Sequence, residues 1–481
     1  MKLYELLKNV RVVETSLDLN MEIGLVTSDS RQVVPGSLFV ALKGYAFDGN
    51  SFIPMAMEKG AVAVVTAQKP QQDIPYILVE SDRAALAAIS TNYYGHPAKA
   101  MTMIGITGTN GKSSITWILK HLLEKLSGEK AGLVGTMVNM VGEESEPADR
   151  TTPESIQLQA LFARMRDAGC KYAVMEVSSH AVALHRIGGV HFDVAAFTNL
   201  TPDHMDFHTD MEDYCNAKAE LFTRCDKAVI NTDDAWAGKI LARCTAPVLS
   251  YGLEDGVALQ AVDVQTRANG VSYTAIMGDR KVPVNVPIPG KFTVYNTMTV
   301  LGVMHQLGFD LEEVAYALGQ IEGVKGRVEV VPTPGKDYTV LIDYAHTPDG
   351  VENILTSVRE FCKGRLIVVF GCGGSRDRKK RPVMGRLAVE LADFAVVTTD
   401  NPRWEDPAAV IEEVKTGMMG HDNFAAFVDR REAIYYALDM ARKDDIVVLA
   451  GRGHENYMLV MGEKYHFDER EIVAEYVAAH K

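Results

Sequence analysis

Three groups of residues in this chain have types and spacings that can do chemistry. The first is Gly108-Thr109-Asn110-Gly111-Lys112-Ser113-Ser114. Its glycines let backbone N–H groups approach a phosphate, Lys112 can neutralise β- and γ-phosphate oxygens, and the Ser113 hydroxyl can reach Mg²⁺. The stricter GxxxxGK[ST] string would need glycine at 106, where the chain has Ile106. The second group is Glu176-Val177-Ser178-Ser179-His180, Asn199-Leu200-Thr201-Pro202-Asp203-His204 and Ala217-Lys218. Glu176 and His204 can offer a carboxylate oxygen and an imidazole to a divalent metal near the phosphates, although each alone also fits a capping or core polar residue. The third is Asp343-Tyr344-Ala345-His346, Arg376, Asp400-Asn401-Pro402-Arg403 and Gly451-Arg452-Gly453-His454-Glu455. Planar guanidinium groups match the two oxygens of a carboxylate, so arginines beside acids suit a zwitterion with more than one carboxylate, such as an amino acid. The Arg/Lys run from 376 to 381 also fits a solvated charged loop.

Strands and helices must hold these groups in place. Gly60–Val65 and Tyr76–Val79 read as buried strands, followed by a helix over Arg83–Tyr94 that stops at Gly95-His96-Pro97. Met101–Ile106 reads as a strand feeding the glycine loop. Ile115, Ile118, Leu119, Leu122 and Leu123 after the loop have helical spacing. Alternating runs around Asn269-Gly270 and Gly278-Asp279 predict inserted hairpins. The apolar runs Val340–Ile342, Leu366–Phe370, Ala395–Val397 and Ile446–Ala450 predict a parallel sheet covered by helices on both faces. The expected fold is α/β in three domains: an N-terminal domain at 1–98, a central P-loop domain with a mostly parallel sheet at 99–329, and a C-terminal Rossmann-like domain at 330–481. Strands end on Glu176, Thr198-Asn199, Asn231, Asp343, Gly371, Asp400 and Gly451. Open α/β sheets bind their ligands at such carboxyl ends.

Length and composition agree with this division. The chain has 481 residues, a hydrophobic content of 47% and 23% charged residues, as ordinary globular domains do. A formal net charge of −14 argues against nucleic-acid or anionic-membrane binding, which need an excess of Lys and Arg. No apolar run approaches the roughly 18–20 residues of a membrane span. Six scattered cysteines without metal spacing suit reduced thiols, so a cytoplasmic location is expected.

These motifs resemble the Mur ligases, the ATP-dependent amino-acid ligases of peptidoglycan precursor synthesis. The resemblance is carried by the strings at 107–113, 176–180, 199–204, 217–218 and 343–348. Thr27-Ser28-Asp29-Ser30-Arg31, Thr151-Thr152-Pro153, Phe370–Gly374 and Asp400-Asn401-Pro402-Arg403 narrow it to members that add the third stem residue and select meso-diaminopimelate. The resemblance implies that Ser30, Thr151, Thr152, Ser178 and Arg186 hold UDP-N-acetylmuramoyl-L-alanyl-D-glutamate. Gly108, Thr109, Asn110, Gly111, Lys112, Ser113 and Ser114 would hold ATP, with Asn296, Arg327 and Asp343. It places Mg²⁺ on Ser113, Glu176, His204 and a CO₂-derived carbamate of Lys218, and diaminopimelate on Arg376, Asp400, Asn401, Pro402, Arg403, Gly451 and Glu455. Lys112, Glu176, His204 and Lys218 would be the catalytic set. A monomer acting on these small molecules is expected, without nucleic acid or membrane insertion. The implied reaction is ADP-forming: the D-glutamate carboxylate becomes an acyl phosphate, which the diaminopimelate amine attacks. A lysine-adding ligase is the alternative within the family, and a nucleotide-switched P-loop binding protein the alternative outside it. Among the departures from the family pattern, Trp404 directly follows the Asp400–Arg403 motif, Lys325 replaces a usual proline and Ser375 a common aspartate.

Overall fold

The computed structural model describes residues 1–44, 48–203, 205, 207–321 and 323–480. They gather into two compact units, Met1–Leu259 with Thr299–Asp310 and Gln260–Met298 with Leu311–Lys481.

The first unit holds two sheets. In one, Val12–Thr15, Tyr76–Val79, Ala61–Thr66, Ser37–Val40 and Leu25–Thr27 lie in that order, antiparallel only at the first pair. Helix Asp82–Tyr93 starts at Ser81, whose hydroxyl accepts from the Ala84 N–H, and buries Ala85, Leu86 and Ile89 with Leu38, Val40 and Val65. In the other, Val248–Gly252, Cys225–Asn231, Phe192–Phe197, Thr102–Thr107, Tyr172–Glu176 and Ala131–Val134 run parallel, and an antiparallel edge of Val138–Val141 and Glu144–Pro147 follows. The chain leaves the central strand Thr102–Thr107 and later places strands on both sides of it. The carboxyl ends of Thr102–Thr107, Tyr172–Glu176 and Phe192–Phe197 therefore stand together at a topological switch point.

Helix Lys112–Ser127 springs from that point. Gly111 (φ +88°) and Gly128 (φ +74°) bound it in the left-handed region, where a Cβ is disfavoured. Ile115, Ile118, Leu119, Leu122 and Leu123 are buried along it. Burying five such side chains is worth on the order of 10 kcal/mol before entropy is counted, so packing, more than helix propensity, decides where the helix N-terminus points.

The second unit contains the two inserted hairpins. Leu259–Arg267, Gly270–Met277 and Arg280–Val286 pair antiparallel, with turns at the expected Asn269-Gly270 and Gly278-Asp279. Its main sheet has the order Glu329–Val331, Thr339–Asp343, Ile446–Ala450, Leu366–Phe370, Phe394–Thr398 and Phe424–Phe427, parallel except at the first strand. Along Leu366–Phe370 the side chains alternate between two cores. Leu366, Val368 and Phe370 pack with Val351, Leu355, Met384 and Val410, while Ile367 and Val369 pack with Ala433, Leu438, Val473 and Val477. Helices thus cover both faces, which is why the strand reads as an unbroken apolar run. A separate hairpin, Tyr457–Val460 and Glu463–His466, follows the last parallel strand.

Candidate active site

In the first unit the glycine loop folds as its residues require. Gly108 has φ +147°, and a Cβ there would collide with the Thr198 hydroxyl, so only glycine fits between the loop and the neighbouring strand end. That strand end clamps the loop: Asn199 O accepts from Thr109 N–H at 2.8 Å, Asn199 Oδ1 from Asn110 N–H at 2.9 Å, and Thr198 Oγ1 donates to Asn110 O at 2.7 Å. Lys112 Nζ donates to Gly108 O (2.9 Å) and Thr109 O (2.7 Å), and Lys218 Nζ also reaches Gly108 O at 2.7 Å. Two amines therefore meet at one carbonyl. Ser113 and Ser114 occupy the half-buried first turn of the helix.

Lys218 lies on helix Met211–Ala219 and is buried, with its Nζ 4.5 Å from the centre of the Tyr214 ring. Burial, and after it the Lys112 ammonium, push its proton affinity well below that of an ordinary lysine. Tyr214 OH meets Thr109 Oγ1 at 3.2 Å, and burial raises its pKa to about 12. Buried His208 ties the same helix to the segment after Glu176, through Asp213 Oδ2 at 3.0 Å and Ser179 Oγ at 2.9 Å. His204 lies outside the described residues.

Glu176, buried at the end of its strand, accepts from both donors of Thr136, N–H at Oε1 and Oγ1 at Oε2, each at 2.9 Å. The Thr136 hydroxyl also meets Thr151 Oγ1 at 3.1 Å. Thr152 Oγ1 donates to Glu176 O (2.8 Å) and accepts from Ser178 N–H (3.3 Å), while Arg186 Nη1 donates to Thr152 O (3.1 Å). Arg186 also pairs with Glu154 at 2.7 Å, and Glu154 in turn meets Arg150 and Arg83. Thr151, Thr152, Ser178, Arg186 and Glu176 thus form one network. Ser30 is buried on the turn after Leu25–Thr27. Thr136 carries no motif, and the signal that finds it is its place as the first hydroxyl after Ala131–Val134. Among the described residues no group of three or more His, Cys, Asp and Glu side chains gathers as for a metal. The Glu176 carboxylate and Ser113 hydroxyl are hard oxygen donors of the kind Mg²⁺ takes.

In the second unit, buried Asp343 accepts from Val328 N–H and Ala345 N–H, each at 2.9 Å. Burial raises its pKa, with Arg327 opposing, and Arg327 itself lies over the Tyr344 ring at 5.4 Å. Asn296 is buried on helix Lys291–Gln306. The ends of three parallel strands bring the acids and arginines together. Asn401 Nδ2 donates to Glu455 Oε2 at 2.8 Å, and Asn401 Oδ1 accepts from Leu459 N–H at 2.7 Å. Gly451 (φ +115°) faces Asp400, whose Oδ2 a Cβ would approach to 2.7 Å. That oxygen is buried and has no hydrogen-bond partner among the described residues. Burial raises Glu455's pKa, with the Asn401 bond opposing. Arg403 Nη1 donates to Gly374 O at 2.8 Å, and Arg403 and Arg376 both flank Gly373, Arg376 from an exposed position. A Cβ at Gly374 would collide with Pro402 O. Fully buried Arg381 braces this loop by pairing with Glu405 at 2.9 Å and Glu413 at 2.8 Å. The glycine loop of the first unit has the features that suit a polyphosphate, and the cations and carboxylates of the second unit those that suit a zwitterion.

Comparison with known proteins finds three family models along the chain. Residues 22–95 match the family model described as Mur ligase family, catalytic domain, 106–304 the Mur ligase middle domain, and 326–453 the Mur ligase, glutamate ligase domain. The chain is 45% identical, over 99% of both sequences, to the UDP-N-acetylmuramoyl-L-alanyl-D-glutamate--2,6-diaminopimelate ligase of Caldanaerobacter subterraneus subsp. tengcongensis. It is 44% identical to the ligase of the same name from Clostridium botulinum, over 95% of each chain. A solved structure of a ligase of that name superposes with a TM-score of 0.75 at 29% identity, covering 100% of this chain and 99% of the other.

Proposed function

The chain belongs to the Mur ligase family, and on that premise we propose that it joins meso-2,6-diaminopimelate to UDP-N-acetylmuramoyl-L-alanyl-D-glutamate with conversion of ATP to ADP and phosphate. The observation that carries the reading beyond the family is the environment of Arg403. Its guanidinium is held at Gly374 O, Asp400 lies on the same loop as Arg403, and Glu455 is bonded to Asn401. A cation beside two acids matches a carboxylate and an ammonium on one substrate, and diaminopimelate has one carboxylate more than lysine.

The glycine loop, with Lys112, takes the triphosphate, and Asn296, Arg327 and Asp343 take the rest of the nucleotide. Residues 1–98 and the Thr151-Thr152-Ser178-Arg186 network hold the sugar-dipeptide, so that its D-glutamate carboxylate meets the γ-phosphoryl group. An oxygen of that carboxylate forms a bond to phosphorus as the bond to ADP breaks, and Lys112 offsets the charge that develops. The amine then attacks the acyl carbon, phosphate departs and the nitrogen loses a proton. Residues 330–481 orient that amine through Arg403, Arg376, Asp400 and Glu455. Mg²⁺ held by Ser113, Glu176 and His204 would neutralise phosphate charge. Burial lowers the proton affinity of Lys218, and its amine would add CO₂ with loss of one proton to give a carbamate, a further anionic oxygen donor for that Mg²⁺. Among the described residues no helix is long and apolar enough to cross a membrane. We place the reaction in the cytoplasm, on a monomer.

The test supplies purified protein with the sugar-dipeptide, ATP, Mg²⁺ and bicarbonate, offers diaminopimelate and lysine together, and follows products by mass. Only the diaminopimelate product is expected. Arg403→Ala should lower diaminopimelate use by about 100-fold while ATP's KM moves little, because it leaves a buried carboxylate without its cation. A lysine product in excess overturns the substrate, and no lengthened peptide overturns the ligase.

A further inference from the structure

Arg403 has a backbone that its own residue type resists. Its φ is +53°, in the left-handed region that a side chain with a Cβ disfavours, so neighbouring groups must hold it there. The neighbour is the hairpin Tyr457–Val460 and Glu463–His466. Arg403 N–H donates to Leu459 O at 3.0 Å and Arg403 O accepts from Met461 N–H at 2.6 Å, so the arginine pairs with the hairpin as a short parallel bridge. The hairpin turns on Met461 (φ +50°) and Gly462 (φ +85°), a two-residue turn with both angles positive, which the twist of a tight hairpin favours. Met461 is therefore strained in the same way as Arg403, and the two residues are bonded to each other.

The ring of Trp404 lies across this turn. A Cβ at Gly462 would come to 2.8 Å from Trp404 Cη2 and 2.9 Å from Cζ2, so the absence of a side chain at 462 is what admits the indole. Trp404 is 65% exposed and contributes little to any core. On its other side it is joined through one peptide bond to the arginine whose guanidinium reaches Gly374 O. The loop below is already fixed, because Glu405 takes two hydrogen bonds from buried Arg381 and one from Ser375 N–H. At the hairpin tip the Trp404 ring packs on Gly462, beside the Arg403 bonds to Leu459 and Met461.

Resting on the diaminopimelate reading above, we infer that Trp404 and Gly462 are a positioning pair for substrate selectivity: the indole pins the hairpin turn, and the pinned turn sets the direction of the Arg403 guanidinium toward the second carboxylate of the amino acid. Neither residue touches the reacting atoms. Small displacements of an orienting group are costly in an enzyme, so loosening the turn should act mainly on the amino acid that Arg403 holds.

The test uses the full-length enzyme, the sugar-dipeptide, ATP and either diaminopimelate or lysine. Trp404→Ala removes the ring, and Gly462→Ala pushes it away. Each is expected to raise KM for diaminopimelate roughly tenfold, with KM for ATP within about twofold of the parent and no lysine product gained. Trp404→Phe should restore most of the loss, and the double variant should be no worse than either single one, since both break one contact. The inference is overturned if KM for diaminopimelate is unchanged in both single variants. It is equally overturned if ATP and diaminopimelate KM rise together, if Trp404→Phe is as defective as Trp404→Ala, or if the two losses multiply. A parent enzyme that makes no diaminopimelate product refutes the underlying function instead, which the same assay shows before any variant is made.

Discussion

At the scale of single residues, Lys218 is the side chain whose chemistry depends most on its surroundings. A lysine in water is an ammonium; here burial and the Lys112 charge favour the neutral amine, and a neutral amine attacks CO₂ whereas an ammonium does not. Addition forms an N–C bond and releases one proton, leaving a carboxylate-like anion in place of a base. Because the proton is a product, the carbamate is favoured as pH rises. Assays in buffer stripped of CO₂ are expected to run at least about fivefold slower than with bicarbonate, with the gap widest toward acidic pH. Lys218→Ala should be inactive in both. Equal rates with and without CO₂ would remove the carbamate from the mechanism. The sequence pointed to Lys218 through its neighbours in the Ala217-Lys218 motif, but burial, the Tyr214 ring beneath it and the shared Gly108 carbonyl are tertiary facts.

At the scale of elements, the loop 400–405 shows how helices fix a binding segment. Arg381, buried on helix Lys380–Leu391, joins Glu405 on the loop to Glu413 on helix Pro407–Lys415. The Arg381 bonds, and after them Ser375 N–H, hold the Glu405 carboxyl down to about 2, against an ordinary 4.5. A carboxyl whose pKa is lower in the folded state stabilises the fold fully above its unfolded value and loses that contribution as pH falls toward the folded one. Glu405→Gln is therefore expected to cost on the order of 2 kcal/mol at pH 7 after allowance for partial exposure, and the difference should shrink between pH 4.5 and 2. Thermal melts of both proteins across that range measure it, and a gap that stays constant would refute the pairing. This brace was not legible beforehand. The run from 376 to 381 reads equally as a solvated charged loop, and in the structure it is both: residues 375–379 are exposed, and Arg381 is fully buried.

At the scale of the whole molecule, the proposed reaction needs three substrates on one chain. A ligase of this kind transfers its phosphoryl group to a substrate acid, whereas a nucleotide switch hydrolyses ATP by itself. Phosphate release is expected to fall below about a tenth of the full rate when the sugar-dipeptide is omitted, since water is a poor substitute for an oriented carboxylate. Unchanged release without it would favour the switch. The amino-acid order alone determined the α/β class, the parallel strands, the inserted hairpins, the glycine loop and the family. Each of these is written in local signals: unbroken apolar runs, helical spacing, turn dipeptides and short contiguous motifs. Tertiary structure decided what lies against what across long separations in the chain. Thr136 holds Glu176 from 40 residues away, Asn401 holds Glu455 across 54, and the Trp404 ring lies over Gly462. No pattern in the sequence encodes such contacts, because they arise where strand ends converge after the sheets have been ordered and their cores packed.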